Sequence, residues 1–317
     1  AAIEACRGRE RIEIFILHPE GRVSEVQRRQ MTTVADDNVH NIALQGTFDD
    51  CQDLVKAMFN DTSFRRDHKL SAVNSINWAR VMAQIAYYFA AALALGAPGR
   101  RLGFSVPSGN FGNVYAGYGA KHMGLDIAQL VVATNANDIL ARFFESGTMA
   151  MRGVAPTYSP SMDIQVSSNF ERLLFDASGR DADAVTAMMQ GLRQSGAFTI
   201  PPAALESIQS EFVSHRCDEQ DMAQTLKQVL AETGELVDPH TAVGLNAARN
   251  LATGSGPMVT LATAHPAKFP DAVREASGRE PELPAHLADL FDKPERFEVI
   301  ANDFEAVKGH IETCLTS

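Results

Sequence analysis

The stretch from Ser105 to Gly119, SVPSGNFGNVYAGYG, combines residue types that are suited to holding an anion. An apolar run stops at Pro107, and a helical pattern begins near Phe111. Around that boundary lie two glycines and two asparagines, Gly109, Asn110, Gly112 and Asn113. The N–H groups of a first helical turn have no intrahelical acceptor, and the helix dipole adds positive partial charge there. The pattern therefore predicts a phosphate-binding site.

Plainer explanations of this stretch stay open when spacing alone is considered. The glycines could serve only a turn, and Asn113 could cap the helix instead of facing a ligand. The dinucleotide pattern G-x-G-x-x-G is absent, and so is the P-loop pattern G-x-x-x-x-G-K-[ST]. NAD binding and P-loop chemistry are therefore disfavoured.

The flanking segments alternate between strand and helix patterns. Apolar, β-branched runs predict strands at RIEIFILHP, VHNIALQG, LGFSV, AQLVVATN and MVTLAT. Thr47 is placed to cap a helix that begins TFDDCQDL. Such alternation predicts βαβ units and an α/β fold built on parallel sheets.

Three further segments complete this outline. VMAQIAYYFAAALALGAP, from Val81, predicts a helix that is buried on all sides, since it is too short to span a membrane and contains Gln84. Residues 138–176 look irregular, and loops of that length are often functional. Amphipathic helices should fill most of 182–251, and the C-terminal RFEVIANDFEAVKGHIETCL predicts a strand or turn followed by a helix.

Composition excludes several classes of protein. Among 317 residues the formal net charge is −11, and no Lys/Arg-rich block is present, which disfavours nucleic-acid binding. The four cysteines are scattered, with no C-x-x-C pair and no secretory leader. These features predict a reduced, cytoplasmic protein. Neither a membrane span nor a metal site is predicted.

PSGNFGNVYAGYGAK closely resembles the cofactor-phosphate loop of threonine synthase, an enzyme dependent on pyridoxal 5'-phosphate (PLP). The resemblance extends in order through HPEGRVSEVQRRQMTT, NSINWARVMAQIAYYF, SPSMDIQVSSNFERLLF, DPHTAVG and LATAHPAKFPDAV, from about Ile12 to about Val273. It implies a fold-type-II, tryptophan synthase β-like architecture, with two parallel-sheet domains, helices on both sheet faces and the cofactor between the domains.

The resemblance also assigns residues to the cofactor. It places the PLP phosphate on the loop of Gly109, Asn110, Phe111, Gly112 and Asn113, which is the segment that the anion argument selected. It places a threonine hydroxyl, that of Thr263, against the pyridine nitrogen. A neutral hydroxyl leaves that nitrogen largely unprotonated and moderates its withdrawal of electrons.

The implied reaction converts O-phospho-L-homoserine and water to L-threonine and phosphate, by γ-elimination followed by addition of water at Cβ. Such an enzyme is a carbon–oxygen lyase acting on phosphate in threonine biosynthesis. The phosphate and carboxylate of the substrate need partners, for which the candidates are Arg80, Ser161, Ser168, Asn169, Arg172 and Lys268. Surface cations and loop hydrogen bonds are the plainer alternatives for each. His240 and His265 could carry protons, but either could equally be a hydrogen-bonded loop residue.

The lysine that joins PLP in this family lies in an FKD-like motif, and none of the seven lysines here has that context. The start AAIEACRG resembles the end of a helix that has no N-terminal cap. We therefore expect a chain that is N-terminally incomplete, lacks the Schiff-base lysine and is inactive alone. Residues 1–70 would form an incomplete small domain and residues 71–317 the large PLP-binding domain, in a monomer or homodimer.

Two other functions remain in competition. A threonine-synthase-like phospho-lyase would use the same loop and Thr263 but would release an oxo acid and ammonia. A non-catalytic module that binds PLP or another ligand would keep the fold without the lysine. Reaction products distinguish the first from threonine synthase, and the residues that precede Ala1 in the natural protein distinguish the second.

Overall fold

The computed structural model describes residues 2–73, 75–252 and 256–316. Contacts divide the chain into two compact units, one formed by residues 1–73 with 282–317 and the other by residues 74–281. The helices are α1 Ala2–Cys6, α2 Glu25–Thr32, α3 Phe48–Asn60, α4 Thr62–Asp67, α5 Trp78–Ala94, α6 Gly112–His122, α7 Ile139–Ser146, α8 Phe170–Ala177, α9 Ala182–Ser195, α10 Pro202–Glu211, α11 Glu219–Thr233, α12 Pro239–Leu251, α13 Pro270–Ser277 and α14 Phe304–Thr316. The strands are β1 Ile14–Pro19, β2 Val39–Gln45, β3 Leu102–Pro107, β4 Ile127–Thr134, β5 Thr148–Ala150, β6 Ala197–Thr199, β7 Phe212–Arg216, β8 Met258–Thr260 and β9 Glu298–Ala301.

The first unit is a parallel sheet in the order β1-β2-β9. Leu44 of β2 pairs with Pro19 of β1 and with Ile300 of β9. The predicted cap at Thr47 is confirmed, because Asp50 N–H donates to Thr47 Oγ1 at 3.2 Å and Thr47 N–H donates back to the Asp50 side chain at 2.6 Å. This reciprocal pair fixes where α3 begins.

The second unit contains the predicted phosphate loop and is built on a parallel sheet in the order β7-β4-β3-β8. All six residues of β3 are buried. A short antiparallel pair, β5 with β6, lies outside this sheet. The predicted α/β fold with parallel sheets in both parts of the chain is therefore confirmed.

The compact units differ from the predicted domains, residues 1–70 and 71–317, at the C-terminal end. Residues 282–317 belong with the N-terminal unit, because β9 extends the sheet of β1 and β2. Val307 and Ile311 of α14 join the same apolar core as Ile42. The domain assignment itself stays a prediction.

Two sequence predictions about helices were wrong. Helix α5 was predicted to be buried on all sides, but only Val81, Tyr88 and Ala92 are buried, while Met82 is 55% and Leu93 67% exposed. The buried residues form one stripe because α5 packs in this unit mainly on α6. The segment 138–176, predicted to be irregular, contains α7 and α8.

Candidate anion-binding site

The predicted loop joins the end of β3 to the start of α6. Ser108 N–H donates to Ala133 O of the neighbouring strand β4 at 2.8 Å, which keeps the loop attached to the sheet. Phe111 has φ of 61°, in the left-handed region, and α6 begins at the next residue. That conformation is costly for a phenylalanine. It is held by burial of the ring, which is 1% exposed and lies 5.1 Å from the ring of Phe170 and 5.7 Å from that of Phe212.

The loop presents a continuous row of main-chain donors. Within the described ranges, the six N–H groups from Gly109 to Val114 donate to no protein acceptor. The carbonyl oxygens of Gly109 and Asn110 would accept from the last two of these N–H groups if the helix began earlier, but they bond to other residues. Gly109 O accepts from Ser167 Oγ at 2.7 Å, and Asn110 O accepts from Asn169 N–H at 3.1 Å. Held in this way, the loop leaves its N–H groups for a ligand at a helix N-terminus.

The two glycines are required by close packing against protein. Neither Gly109 nor Gly112 has positive φ, so a turn does not explain them. A methyl group placed on Gly109 would lie 2.7 Å from Ser161 O and 3.0 Å from Met162 Cα. One placed on Gly112 would lie 3.3 Å from Asn169 Nδ2. The backbone of Ser161 and Met162 therefore occupies the space that a side chain at position 109 would need, and the Asn169 side chain lies close to the space at position 112.

Both asparagines of the loop keep their amide donors available. Asn110 Oδ1 accepts from Ser168 Oγ at 3.1 Å, and Asn113 Oδ1 accepts from the side chain of Gln84. Their NH2 groups donate to no acceptor in the part of the chain that the structure describes. Asn113 does not cap α6, because the residue at the cap position is Phe111, and no side chain there bonds to the helix.

Tyr88 anchors the loop from helix α5. Its hydroxyl donates to Asn113 O at 2.6 Å. Burial raises the pKa of Tyr88, so the phenol stays protonated and able to donate.

Three of the proposed substrate-binding residues lie against this loop and already have partners. Asn169 is fully buried, and its Nδ2 donates to Asn110 O at 3.0 Å and to Ser75 O at 2.7 Å. Arg172 donates to Asn169 Oδ1 at 3.2 Å and to Ile76 O at 2.9 Å, with its guanidinium 5.3 Å from the centre of the Trp78 ring. Ser168 is the hydroxyl that donates to Asn110.

Comparison with known proteins decides the family. The family model "Threonine synthase, C-terminal" matches residues 241–311. The chain is 53% identical to threonine synthase of Pseudomonas aeruginosa, over 98% of this chain and 67% of that protein. A crystal structure of PLP-bound threonine synthase from Brucella melitensis superposes with a TM-score of 0.95 at 57% identity, covering 100% of this chain and 68% of that one. For the yeast threonine synthase structure the TM-score is 0.90 at 41% identity, covering 99% and 67%.

This chain belongs to the threonine synthase family. It spans about two thirds of the length of the relatives it matches. The resemblance seen in the sequence is thereby confirmed, and with it the fold-type-II assignment.

Thr263, the other cofactor residue that the threonine synthase resemblance implies, lies at the same sheet edge as the loop. Strands β3 and β8 are parallel, with Ser105 paired to Thr260 and Leu261 N–H donating to Ser105 O at 3.0 Å. Thr263 is exposed three residues beyond the carboxyl end of β8. Ligands of open α/β sheets bind at this edge.

Two of the remaining candidates for substrate binding, Arg80 and Lys268, are cations that interact electrostatically. Arg80 is exposed, whereas Lys268 is partly buried in the turn Pro266–Lys268. Burial lowers the pKa of Lys268, the negative charge of Asp238 opposes that shift, and the positive charge of Arg80 adds to it. Lys268 thus lies within electrostatic range of both a second cation and a carboxylate.

Ser161, His240 and His265 were candidate site residues in the sequence, and the structure shows that they differ in burial and in hydrogen-bond partners. Ser161 is exposed in the turn Pro160–Met162, whose backbone packs on Gly109. His265 is exposed, and its Nδ1 accepts from Ala267 N–H at 3.2 Å, capping a short turn. His240 is 4% exposed. Its D-x-H spacing from Asp238 was the one sign in the sequence that these two side chains could meet.

Neither a metal-binding cluster nor a membrane-spanning helix occurs in the described ranges. No group of three or more His, Cys, Asp or Glu side chains there could hold a metal ion. No helix there combines the length and the apolar character needed to cross a bilayer.

Proposed function

We propose that this chain serves a PLP-dependent threonine synthase that converts O-phospho-L-homoserine and water to L-threonine and inorganic phosphate. The observation that supports this proposal most strongly is the row of six N–H groups from Gly109 to Val114, which have no protein acceptor among the described residues. With the amides of Asn110 and Asn113, these donors match the oxygens of a phosphate monoester dianion. The residues present therefore fit the phosphate of PLP.

The loop residues bind and orient the cofactor. Gly109, Asn110, Phe111, Gly112 and Asn113 fix the phosphate, and the N-terminus of α6 adds favourable partial charge. Thr263 lies at the same sheet edge, and its hydroxyl is assigned to the pyridine nitrogen. When bound, PLP supplies an electron sink for carbanions formed next to the substrate amino group.

The substrate anions need cations, and Lys268 and Arg80 are the best placed. Lys268 is shielded from solvent, which strengthens its attraction for a phosphate or carboxylate. Ser161, Ser168, Asn169 and Arg172 form the wall behind the loop. Because Asn169 and Arg172 already bond to protein groups, we propose that they orient the loop for substrate rather than contact the substrate phosphate.

A product assay tests this function directly. The full-length protein with PLP and O-phospho-L-homoserine should release threonine and phosphate in equal amounts. Equal amounts of oxo acid, ammonia and phosphate would instead identify a phospho-lyase, the less favoured alternative because the relatives compared above are named threonine synthases. Binding of PLP without turnover would identify a non-catalytic module.

The cellular setting and assembly belong to the same proposal. All four cysteines lie within the described residues, and none of them forms a disulfide. Burial raises the pKa of Cys51 to about 11 and that of Cys217 to about 12. Buried, protonated thiols are typical of a reducing compartment and support a cytoplasmic enzyme. A monomer or homodimer is the proposed assembly.

A further inference from the structure

His240 and Asp238 form a buried pair at the start of α12. Asp238 caps the helix and is fully buried, and its Oδ1 lies 2.9 Å from His240 Nδ1. Its other oxygen accepts from Thr241 N–H at 3.4 Å and from the Thr241 hydroxyl. A carboxylate only accepts hydrogen bonds, so His240 Nδ1 must carry a proton.

The other ring nitrogen of His240 faces the backbone of a different segment. Ser161 N–H donates to His240 Nε2 at 3.3 Å. This contact requires a lone pair on Nε2, so the imidazole is neutral with its proton on Nδ1. The Phe269 ring, 4.8 Å from the imidazole centre, packs against it. Both ring nitrogens are occupied, which leaves neither for proton transfer.

Ser161 is the residue against which the anion-binding loop rests. A methyl group added to Gly109 would lie 2.7 Å from the Ser161 carbonyl oxygen and 3.0 Å from Met162 Cα. With so little space, displacement of the turn Pro160–Met162 would also displace Gly109. Gly109 carries the first of the six N–H groups that have no protein acceptor in the described part of the chain.

We infer that His240 is a positioning residue for the anion-binding loop. Asp238 fixes its tautomer, and its Nε2 accepts from Ser161 and holds the turn Pro160–Met162 against Gly109. The N–H groups then meet a phosphate without rearrangement. This inference rests on the proposed binding of the PLP phosphate at the loop and extends it to residues that no phosphate would touch.

The test compares the affinities of the full-length protein for PLP and for pyridoxal, which lacks the phosphate. The dissociation constant for pyridoxal divided by that for PLP measures what the phosphate contributes to binding. His240→Phe keeps an aromatic ring against Phe269 but removes the acceptor for Ser161 N–H. His240→Asn can still donate to Asp238 but is too short to reach Ser161. His240→Gln places an amide oxygen near the position of Nε2.

We expect His240→Phe and His240→Asn to lower this ratio about 3- to 10-fold, the range for one lost hydrogen bond. His240→Gln should stay within about twofold of the unsubstituted protein, with an unchanged affinity for pyridoxal in all three variants. His215→Phe is the matched control, because His215 is a partly buried histidine of the same unit whose Nε2 meets Asn246 at 3.0 Å.

Three results would overturn the inference. One is an unchanged ratio in both His240→Phe and His240→Asn. Another is an equal fall in all three variants, which would assign the effect to packing alone. The third is an equal fall in His215→Phe. A ratio near one in the unsubstituted protein is a different failure, since it would show that the phosphate is not bound and would remove the proposed loop function itself.

Discussion

Asn110 O accepts two hydrogen bonds from Asn169, one from its main-chain N–H at 3.1 Å and one from its side-chain Nδ2 at 3.0 Å. That carbonyl would otherwise be the acceptor for the N–H of Val114 in the first turn of α6. Because Asn169 occupies that carbonyl, the Val114 N–H has no protein acceptor among the described residues. A residue 59 positions away therefore determines the donor geometry of the anion site.

Asn169→Ala should lower the free energy of unfolding by about 2–3 kcal/mol, because the carbonyls of Ser75 and Asn110 both lose a donor. PLP affinity should fall as well, since Asn110 O keeps only the main-chain bond from residue 169 and the loop is held less firmly. Asn250→Ala, at an exposed position of α12, should change stability by less than about 0.5 kcal/mol. Urea denaturation and PLP titration check both effects. An Asn169→Ala protein as stable as the unsubstituted one would contradict the assigned role.

Asn110→Asp should weaken PLP binding by about 100-fold, because it replaces an amide donor by a negative charge beside the phosphate. The new carboxylate can still accept from Ser168 Oγ, so the fold should be kept. Asn250→Asp supplies the same charge change at an exposed site and should leave the affinity unaltered. Titration of PLP absorbance measures the affinities. Equal binding by Asn110→Asp and the unsubstituted protein would place the phosphate away from this residue.

Gly109→Ala should destabilise the protein by about 1–3 kcal/mol through overpacking, because the new methyl group would meet backbone atoms of Ser161 and Met162. Gly153 is the control, since it has no atom within 4 Å of the added methyl group and no positive φ. Gly153→Ala should change stability by less than about 0.5 kcal/mol. Thermal unfolding of both variants measures the two effects, and equal stability changes would contradict close packing as the reason for the glycine.

Lys268→Gln should raise the KM for O-phospho-L-homoserine with little change in PLP affinity, since the lost charge is assigned to substrate. The pKa of Lys268 is lowered by burial, so its charge should be lost at a lower pH than that of a free lysine. KM should therefore rise on the alkaline side of the profile, and Lys268→Arg should flatten that rise because arginine stays charged. An identical KM-against-pH curve for Lys268→Arg would rule out this assignment.

Glu295 should make the first unit sensitive to acid. Arg28 donates to both of its oxygens, at 2.8 and 3.0 Å, and Thr32 donates at 2.7 Å. Hydrogen bonds from Arg28 are the main cause that lowers the pKa of Glu295 to about 2, from an ordinary 4.5. A carboxylate whose folded pKa is lowered stabilises above its unfolded pKa, and that contribution is lost as the pH falls from about 4.5 to about 2.

Glu295→Gln should therefore lower the free energy of unfolding by about 1 kcal/mol at pH 7, a value reduced from the full shift because the pair is partly exposed to solvent. The difference between this variant and the unsubstituted protein should shrink as the pH falls through that interval. Urea denaturation at several pH values measures it. A difference that stays constant with pH would show that Glu295 acts through packing alone.

The strand, loop and helix of the candidate anion site were predictable, but the packing around them was not. The strand, loop and helix around Gly109 are local, so their pattern is visible in consecutive residues. The reason for the glycine is a contact with Ser161 and Met162, about fifty residues away, and spacing carries no sign of it. The contact between His240 and Ser161 is hidden for the same reason.

Errors in the predicted fold have physical causes too. The apolar residues of α5 indicated burial, yet a sequence does not show which side of a helix another element covers, and Met82 and Leu93 are exposed. The parallel strand β7, Phe212–Arg216, was missed because it is short and partly polar. In contrast, Thr47 could be assigned as a cap, since both halves of its reciprocal bond with Asp50 lie within four residues.

A crystal structure of the full-length protein with bound PLP is the most direct test of the account. We expect the phosphate oxygens to lie about 2.7–3.2 Å from main-chain nitrogens between Gly109 and Val114, at the N-terminus of α6. A phosphate bound away from that row of nitrogens, with the loop unchanged, would contradict the account.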